Sequence, residues 1–596
     1  MNNTIKTNKL LFLCSLCLLF FASCNDDLED KKTNLWDTSD VWTISTMARG
    51  VLNKAYEGMP TTPDSYGSNY LDAATDNAMT TIYDNLCYRL ASGEMTQRNN
   101  LLGVWGTAYE KFQYIHQFLL NGLGDNVYYV RGNDEQDLAY KKRLEGEAYF
   151  LRAYWGYRLL QVYGGKTDDG QALGYPIVTS FLTMEEMEHA NLPRDTYEAC
   201  ATQIMNDCDR ATELLPLEYK GSDNIIGITQ LGRASALAAK ALKTQVALLA
   251  ASPAFQPDSI VKINGMGNYT ILDETVYKQK WVRAAEVADQ CIKTTGFGGV
   301  YGLKATDLAD APNKTPSEFI LRSYFNNNTI ERRYFAPFYL GTARTVPSQN
   351  LVDAFPAANG FPISDSRSNY DSQSPYINRD KRLDLNVYHQ GSTYGKNGLL
   401  VNTSDDGEFG RLFSEHNSQT GYYLAKGISK SQNMLDIDAT KNAIHYYPLL
   451  RKTQVYLAYA EAANEAWGPM SKSPEMSNTA YDIIKSLRKV SGGITSTTYL
   501  DEMAADVASF RKLIHNERRI ELAFESSRYW DLRRWLDPLD ESVRGVEVSL
   551  DDQLNTVYSY MEVAPRNYHA IRDYYVPLPY SEILKMPNLI NNLGWN

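Results

Sequence analysis

Histidine and cysteine are scarce in this chain, with seven of each among 596 residues. No His-Glu-x-x-His pair and no Gly-x-Ser-x-Gly elbow occurs, which removes the common zinc-peptidase and serine-hydrolase constellations. Basic residues are also in deficit. Lys and Arg number 59 against 71 Asp and Glu, a formal charge of -12, and phosphate backbones call for a basic surface, so nucleic acid is not an expected partner. No apolar run approaches the roughly 20 residues of a membrane-spanning helix. Cys87, Cys200, Cys208 and Cys291 are the only cysteines of the chain body, too few for a disulfide scaffold of this size. Cys200 and Cys208 fall on one predicted helix about 12 Å apart by rise and cannot pair. All four are expected as small buried apolar residues.

The one sizeable apolar run, Leu10 to Ala22, follows Lys6 and Lys9 and reads as a cleaved export signal over residues 1–23. Phe21-Ala22-Ser23-Cys24 resembles a bacterial lipobox, with Phe21 where Leu is usual, and implies a diacylated Cys24 as the only membrane anchor. An ordinary secretory peptide is the competing reading. Loss of the leader and its two lysines takes the charge to about -14. Residues 24–38 read as a lipidated linker, and its Asn25-Asp26-Asp27-Leu28-Glu29-Asp30 resembles the acidic tag that sends some lipoproteins to the outer face of the outer membrane. A plain solvated linker is the alternative.

The body is predicted to be mainly α. Apolar residues at spacings of three and four predict helices over Val41–Met59, Leu101–Leu123, Asp134–Tyr163, Asp195–Leu215, Gln230–Ala251, Lys278–Lys293, Arg451–Trp467, Met476–Val490 and Glu502–Trp535. The alanines of 234–251 let neighbouring backbones approach closely, as stacked helix pairs require. This reads as a tetratricopeptide-like scaffold of helical hairpins, although no strict 34-residue period is visible. A chain this long exceeds what one core serves, and two lobes are expected.

Between the helices lie irregular stretches at 60–100, 296–346 and 357–445, pinned by short strands at Phe319–Tyr324 and Tyr422–Lys426. Loops of this length in a compact protein are usually functional. The chain holds 42 Tyr, 9 Trp and 19 Phe. So much tyrosine exceeds what a core needs, because each buried hydroxyl wants a partner. Rings at the surface suit sugars or peptides, while packing between helices is the competing use for any single Tyr.

Several blocks in order resemble the SusD/RagB family of surface nutrient-binding lipoproteins. The clearest runs from Asn516 to Trp535, NERRIELAFESSRYWDLRRW, read physically as a helix pinned by the i,i+3 pairs Arg518/Glu521, Glu525/Arg528 and Arg528/Asp531. Ser526 stands where the family usually has Gly. Glu147–Tyr154 with Val162–Gly165, Gly232–Ala234 through Ser252, Pro347–Phe355, Asn378–Arg382, Tyr459–Glu465 and Val576–Pro579 agree in order and spacing. In Asn378–Arg382 the usual Pro is Lys381. The resemblance implies halves at 39–315 and 316–596, a tetratricopeptide scaffold with a loop-rich region, and a lid on a SusC-like TonB-dependent outer-membrane transporter. The lid would deliver glycan or, in some members, peptide.

A sugar site in water needs aromatic platforms and polar side chains. Tyr66, Tyr70, Asp72, Asp76 and Asn77 supply both, extended by Tyr83, Tyr88 and Arg89; the family's early region contributes to ligand contact. Tyr324, Phe325, Arg332, Arg333 and Tyr334 form a second candidate group, with Phe338 nearby. Loop packing is the structural alternative, and Asp72 and Asp76 equally suit helix caps. Two motifs imitate other chemistry. Gly165-Lys166-Thr167 lacks the glycine of a phosphate loop five positions earlier, where Leu160 stands. Asp436 to Asn442 puts Lys441 at the glycine turn of a calcium loop. No cofactor or metal is expected, and a surface glycan hydrolase using two of the many carboxylates is the alternative from a different class.

Overall fold

The computed structural model describes residues 38–257, 274–310, 316–395, 398–431, 442–569 and 571–595. The leader, Cys24, its linker through residue 37 and all but the last residue of the calcium-loop imitation lie outside these.

The molecule is mainly helical. Helices α1 (Ser45–Tyr56), α2 (Trp105–Asn121), α3 (Asp134–Tyr163), α4 (Tyr197–Leu214), α5 (Ala236–Ala251) and α6 (Glu274–Ile292) follow one another and pack largely in that order. Their limits follow from local chemistry. Asn133, Thr196 and Ser235 cap α3, α4 and α5 by accepting from the backbone N–H three residues on. The phosphate-loop imitation is a helix stop: α3 ends at Gly164, where a Cβ would sit 2.4 Å from the Leu160 carbonyl oxygen. Helix α5 starts later than its alanine pattern predicts, because Ile228–Gln230 is a 3-10 turn and Gly232 takes a φ of +97°.

Four further helices complete the scaffold: α7 (Lys452–Trp467), α8 (Ala480–Val490), α9 (Val507–Glu521) and α10 (Arg528–Trp535). Helix α7 packs directly on α6, and α8 and α9 pack on α7. The array is thus continuous in space, while residues 293–451 leave and return between two adjacent helices. Its core runs from Leu52 and Trp155 through the buried alanines of α5 to Tyr459, Ile484 and Leu513.

Short strands organise the excursion: β1 (Ala78–Thr80), β2 (Phe319–Asn327), β3 (Thr345–Pro347) and β4 (Ala443–Arg451), followed by a hairpin of β5 (Val543–Leu550) and β6 (Thr556–Ala564). Strand β2 leads out and β4 leads back into α7, and the two pair antiparallel with Tyr324 opposite Tyr446. A second core, rich in tyrosine, fills this region, with Tyr334, Phe335, Tyr388, Tyr394, Phe409 and Tyr423 buried against Phe524 and Val546.

Charges fasten the excursion to the helices. Arg451, fully buried ahead of α7, reaches Glu318 at 3.0 Å, Glu521 at 3.1 Å and Glu525 at 2.8 Å. Lys426 joins Glu525 at 2.7 Å, and Arg382 joins Asp380 at 2.7 Å and Glu517 at 2.8 Å. Each ion is compensated by several partners, the condition under which buried charge is tolerated.

The helix predicted over Glu502–Trp535 is broken. A short turn of helix at Thr498–Met503 precedes α9, and the chain bends before α10, with Phe524 and Ser526 both at φ +59°. The Asp72 carboxylate accepts the freed Phe524 N–H at 3.0 Å. The break separates Glu525 from Arg528, and the other expected i,i+3 pairs give way to longer-range partners. Arg518 pairs with Asp531 at 2.7 Å, Arg528 with Asp76, and Glu525 with Arg451 and Lys426. At Ser526 the left-handed backbone gives the physical reason for a glycine preference.

Candidate ligand-binding face

The two candidate segments, some 250 residues apart in sequence, meet in space. Strand β1 pairs antiparallel with β3, and Ser348 N–H donates to the Asn77 carbonyl at 2.9 Å. The Tyr334 hydroxyl lies 2.9 Å from both Asp64 Oδ2 and the Ser68 carbonyl, which share its single proton. Arg333 pairs with Asp64. The Tyr70 ring meets Tyr334 edge-on at 4.9 Å and Phe524 at 5.9 Å.

These contacts divide the predicted residues into two groups. Tyr70, Asp72, Asp76, Asn77 and Tyr334 are buried and are occupied in holding the early loop on the α9–α10 bend. Asn77 donates to Asp72 Oδ1 at 3.1 Å and accepts from Arg519 Nε at 2.8 Å. Burial acts to raise the Asp76 carboxyl, but Arg519 at 2.8 Å and Arg528 at 2.9 Å override it and hold the group well below the usual carboxylate range. Asp72 makes no ion pair among the described residues, and burial pushes its carboxyl up against the weaker pull of its hydrogen bonds and of Lys426. These five side chains are buried and shape the face from beneath. Tyr66 is half-buried beside a cavity of about 130 Å³ between the helices and the loops.

The other group is open. Tyr83 is 78% exposed and meets the half-exposed Tyr88 edge to face at 5.5 Å. Asn85 fixes their turn: it caps the helix Leu86–Ala91 and donates to Thr80 Oγ1 at 2.8 Å. Arg89 is held by Glu94 at 3.1 Å and Asp84 at 3.7 Å. Thr81 N–H donates to the Arg344 carbonyl, and Arg344 N–H to the Arg333 carbonyl at 2.8 Å. The tyrosine turn and the Arg332–Arg344 loop are therefore neighbours. Arg332 is exposed, and Tyr324 is 63% exposed, with the Arg322 guanidinium 5.4 Å over its ring. Phe325 lies flat on His445 at 5.0 Å, whose Nε2 is 2.9 Å from Glu331 Oε1.

The structure adds Phe413, which meets Phe338 at 5.7 Å, both about half exposed. The sequence signal for it was the adjacent apolar pair Leu412-Phe413 in a polar loop.

Two family models match successive parts of the chain. One, described as SusD family, matches residues 318–595, and another, described as starch-binding associating with outer membrane, matches residues 27–248. The chain belongs to the SusD/RagB family. A SusD-like protein P2 from Formosa agariphila is 30% identical over 176 residues, a stretch spanning 29% of each protein. Among solved SusD-like structures, one from Bacteroides fragilis superposes with a TM-score of 0.67 at 22% identity, covering 94% of this chain and 98% of that one. A SusD-like carbohydrate-binding protein from the same species gives 0.64 at 20%, covering 92% and 99%. Surface glycan-binding protein A from Bacteroides uniformis gives 0.54 at 15%, covering 92% and 99%. These likenesses establish the fold, a SusD-like helical scaffold with small sheets, in agreement with the mainly α expectation.

Proposed function

We propose that this SusD-like chain is a cell-surface lipoprotein that binds oligosaccharide or polysaccharide and delivers it, as the lid of a SusC-like TonB-dependent transporter, across the outer membrane. Residues 1–23 are its leader, Cys24 its lipid attachment site, residues 24–38 its tether, and 39–315 and 316–596 its two sequence halves. The observation that carries the reading is that the turn bearing the exposed Tyr83 and Tyr88, with Arg89, is hydrogen-bonded to the loop after the exposed Arg332, while Tyr324 on β2 is exposed as well. Exposed rings beside guanidinium groups suit sugar rings and their hydroxyls. The glycan-binding names of the related structures and the outer-membrane description of the N-terminal family model support it. The role proposed is binding without turnover.

The test is a binding screen of the chain from residue 25 against plant, host and microbial glycans and mixed peptides, with product analysis. Saturable glycan binding without cleavage, and co-purification of the lipidated form with a transporter, are the expected results. Released product would replace the binding role with hydrolysis. Peptide-only binding would keep the lid and change its cargo.

A further inference from the structure

An open cleft of about 500 Å³ lies elsewhere on the loop-rich lobe and shares no residue with the face above. Its volume falls within the ~300–1,000 Å³ typical of ligand pockets. One wall is aromatic. Tyr376 lies against His389 with ring centroids 3.9 Å apart and meets Tyr558 edge to face at 5.7 Å. Both supports are fixed. The Tyr376 hydroxyl is 3.2 Å from that of Tyr422, and His389 Nε2 is 3.0 Å from Asp384 Oδ1. Tyr558 comes from β6, far along the chain, so the wall is assembled by tertiary structure.

Pro375 and Ile377 add apolar surface, Gln390 and Ser392 are hydrogen-bonded within the fold, and several polar groups remain unengaged. The side chains of Gln373, Ser374, Thr393 and Lys430 line the cleft and make no hydrogen bond or ion pair among the described residues. Asp384 engages His389 through one oxygen only, and its side chain is largely exposed. An amide, two hydroxyls, an ammonium and a carboxylate oxygen thus surround an aromatic corner, each with spare hydrogen-bonding capacity. The single Asp384 and Lys430 charges balance, which favours an uncharged ligand over an anionic one.

We infer that this cleft is a second saccharide subsite, which takes a pyranose unit of a neutral oligosaccharide on the Tyr376–Tyr558 corner. The C–H face of the ring would lie against the aromatic wall, and its hydroxyls would bond Gln373, Thr393, Asp384 and Lys430. The inference rests on the glycan-binding reading for its ligand class and on its own geometry for its location. Two separate subsites would let one chain hold a long polymer at two points, which raises avidity without a new contact at either.

The test is calorimetric titration of the chain from residue 25 with malto-, cello-, xylo- and mannohexaose, using Gln373→Ala/Thr393→Ala/Lys430→Ala, whose parent side chains hold nothing in the fold, and Tyr83→Ala/Tyr324→Ala. For a hexasaccharide that binds, the expected result is two saccharides per parent chain. The triple variant should lose one event by at least tenfold in affinity, with unchanged melting, and the double variant should keep that event. Tyr376→Phe, which removes only the hydroxyl bonded to Tyr422, should retain it. A triple variant that titrates like the parent, or a single event abolished by the double variant, overturns the cleft and leaves the proposed function standing. Failure of all four sugars to bind the parent overturns the neutral-glycan reading and the cleft together.

Discussion

Arg528 clamps Asp76 through two parallel hydrogen bonds, Nε to Oδ1 and Nη2 to Oδ2, each 2.9 Å, across 452 residues of chain. Replacing Asp76 with Asn keeps the shape and removes the charge, which leaves Arg519 and Arg528 buried without their anion. The expected loss is about 3–5 kcal/mol of folding free energy, read as a lower denaturant midpoint at unchanged slope.

Acid should unfold the protein through the same class of contacts. Burial acts to raise Glu461, but Arg534 overrides it and brings the group from 4.5 to about 2. Its folded value lies below its unfolded one, so the stability it contributes is present above pH 4.5 and is lost as pH falls towards 2. Asp76 shifts in the same direction. Asp72, pushed up by burial, opposes part of the loss. Thermal unfolding from pH 7 to pH 2 should show the decline, and Glu461→Gln should flatten it from a lower starting point.

Exposed and buried tyrosines should separate cleanly. Tyr83→Ala and Tyr324→Ala are expected to weaken glycan binding about tenfold each, or ~1.4 kcal/mol, with little change in melting. Tyr334→Ala should instead cost about 3–5 kcal/mol of stability, because it empties a core position and removes the hydroxyl that bonds Asp64 and Ser68. Titration and melting of the three variants check this.

Cys87, Cys200, Cys208 and Cys291 are buried and unpaired. Burial pushes the Cys200 and Cys291 thiols up to about 12. None of the four should react with a disulfide reagent at pH 8 in the native protein, and all four should react in guanidinium.

Ser526 has a left-handed backbone and a buried hydroxyl without a hydrogen-bond partner among the described residues. Ser526→Gly should therefore stabilise the protein by about 0.5–1 kcal/mol, the relief of backbone strain exceeding the entropy that glycine adds to the unfolded chain. Denaturant titration decides the sign.

The helical scaffold was legible because periodicity and caps are local: the limits of α3, Asp134 and Tyr163, were visible as an acidic start and a Gly-Gly stop. The break between α9 and α10 was not, since the group that accepts the freed Phe524 N–H is Asp72, some 450 residues away. The candidate site divides in the same way. Composition marked both segments as aromatic and polar, but whether a ring faces solvent or Phe524 depends on strand pairing that no local pattern encodes. Tyr376 and Tyr558 stand apart in sequence and share no motif, so their cleft left no local trace.

The adjacency of α6 and α7 also bears on how the molecule folds. Their interface closes a loop of residues 293–451, and long-range contacts of this kind are slow to form because chain entropy is lost before any contact compensates it. The pairing of β2 with β4 holds the ends of this loop together. Until α7 docks, the part of α6 that it covers stays open, and such an interval is when a folding chain is most exposed to aggregation.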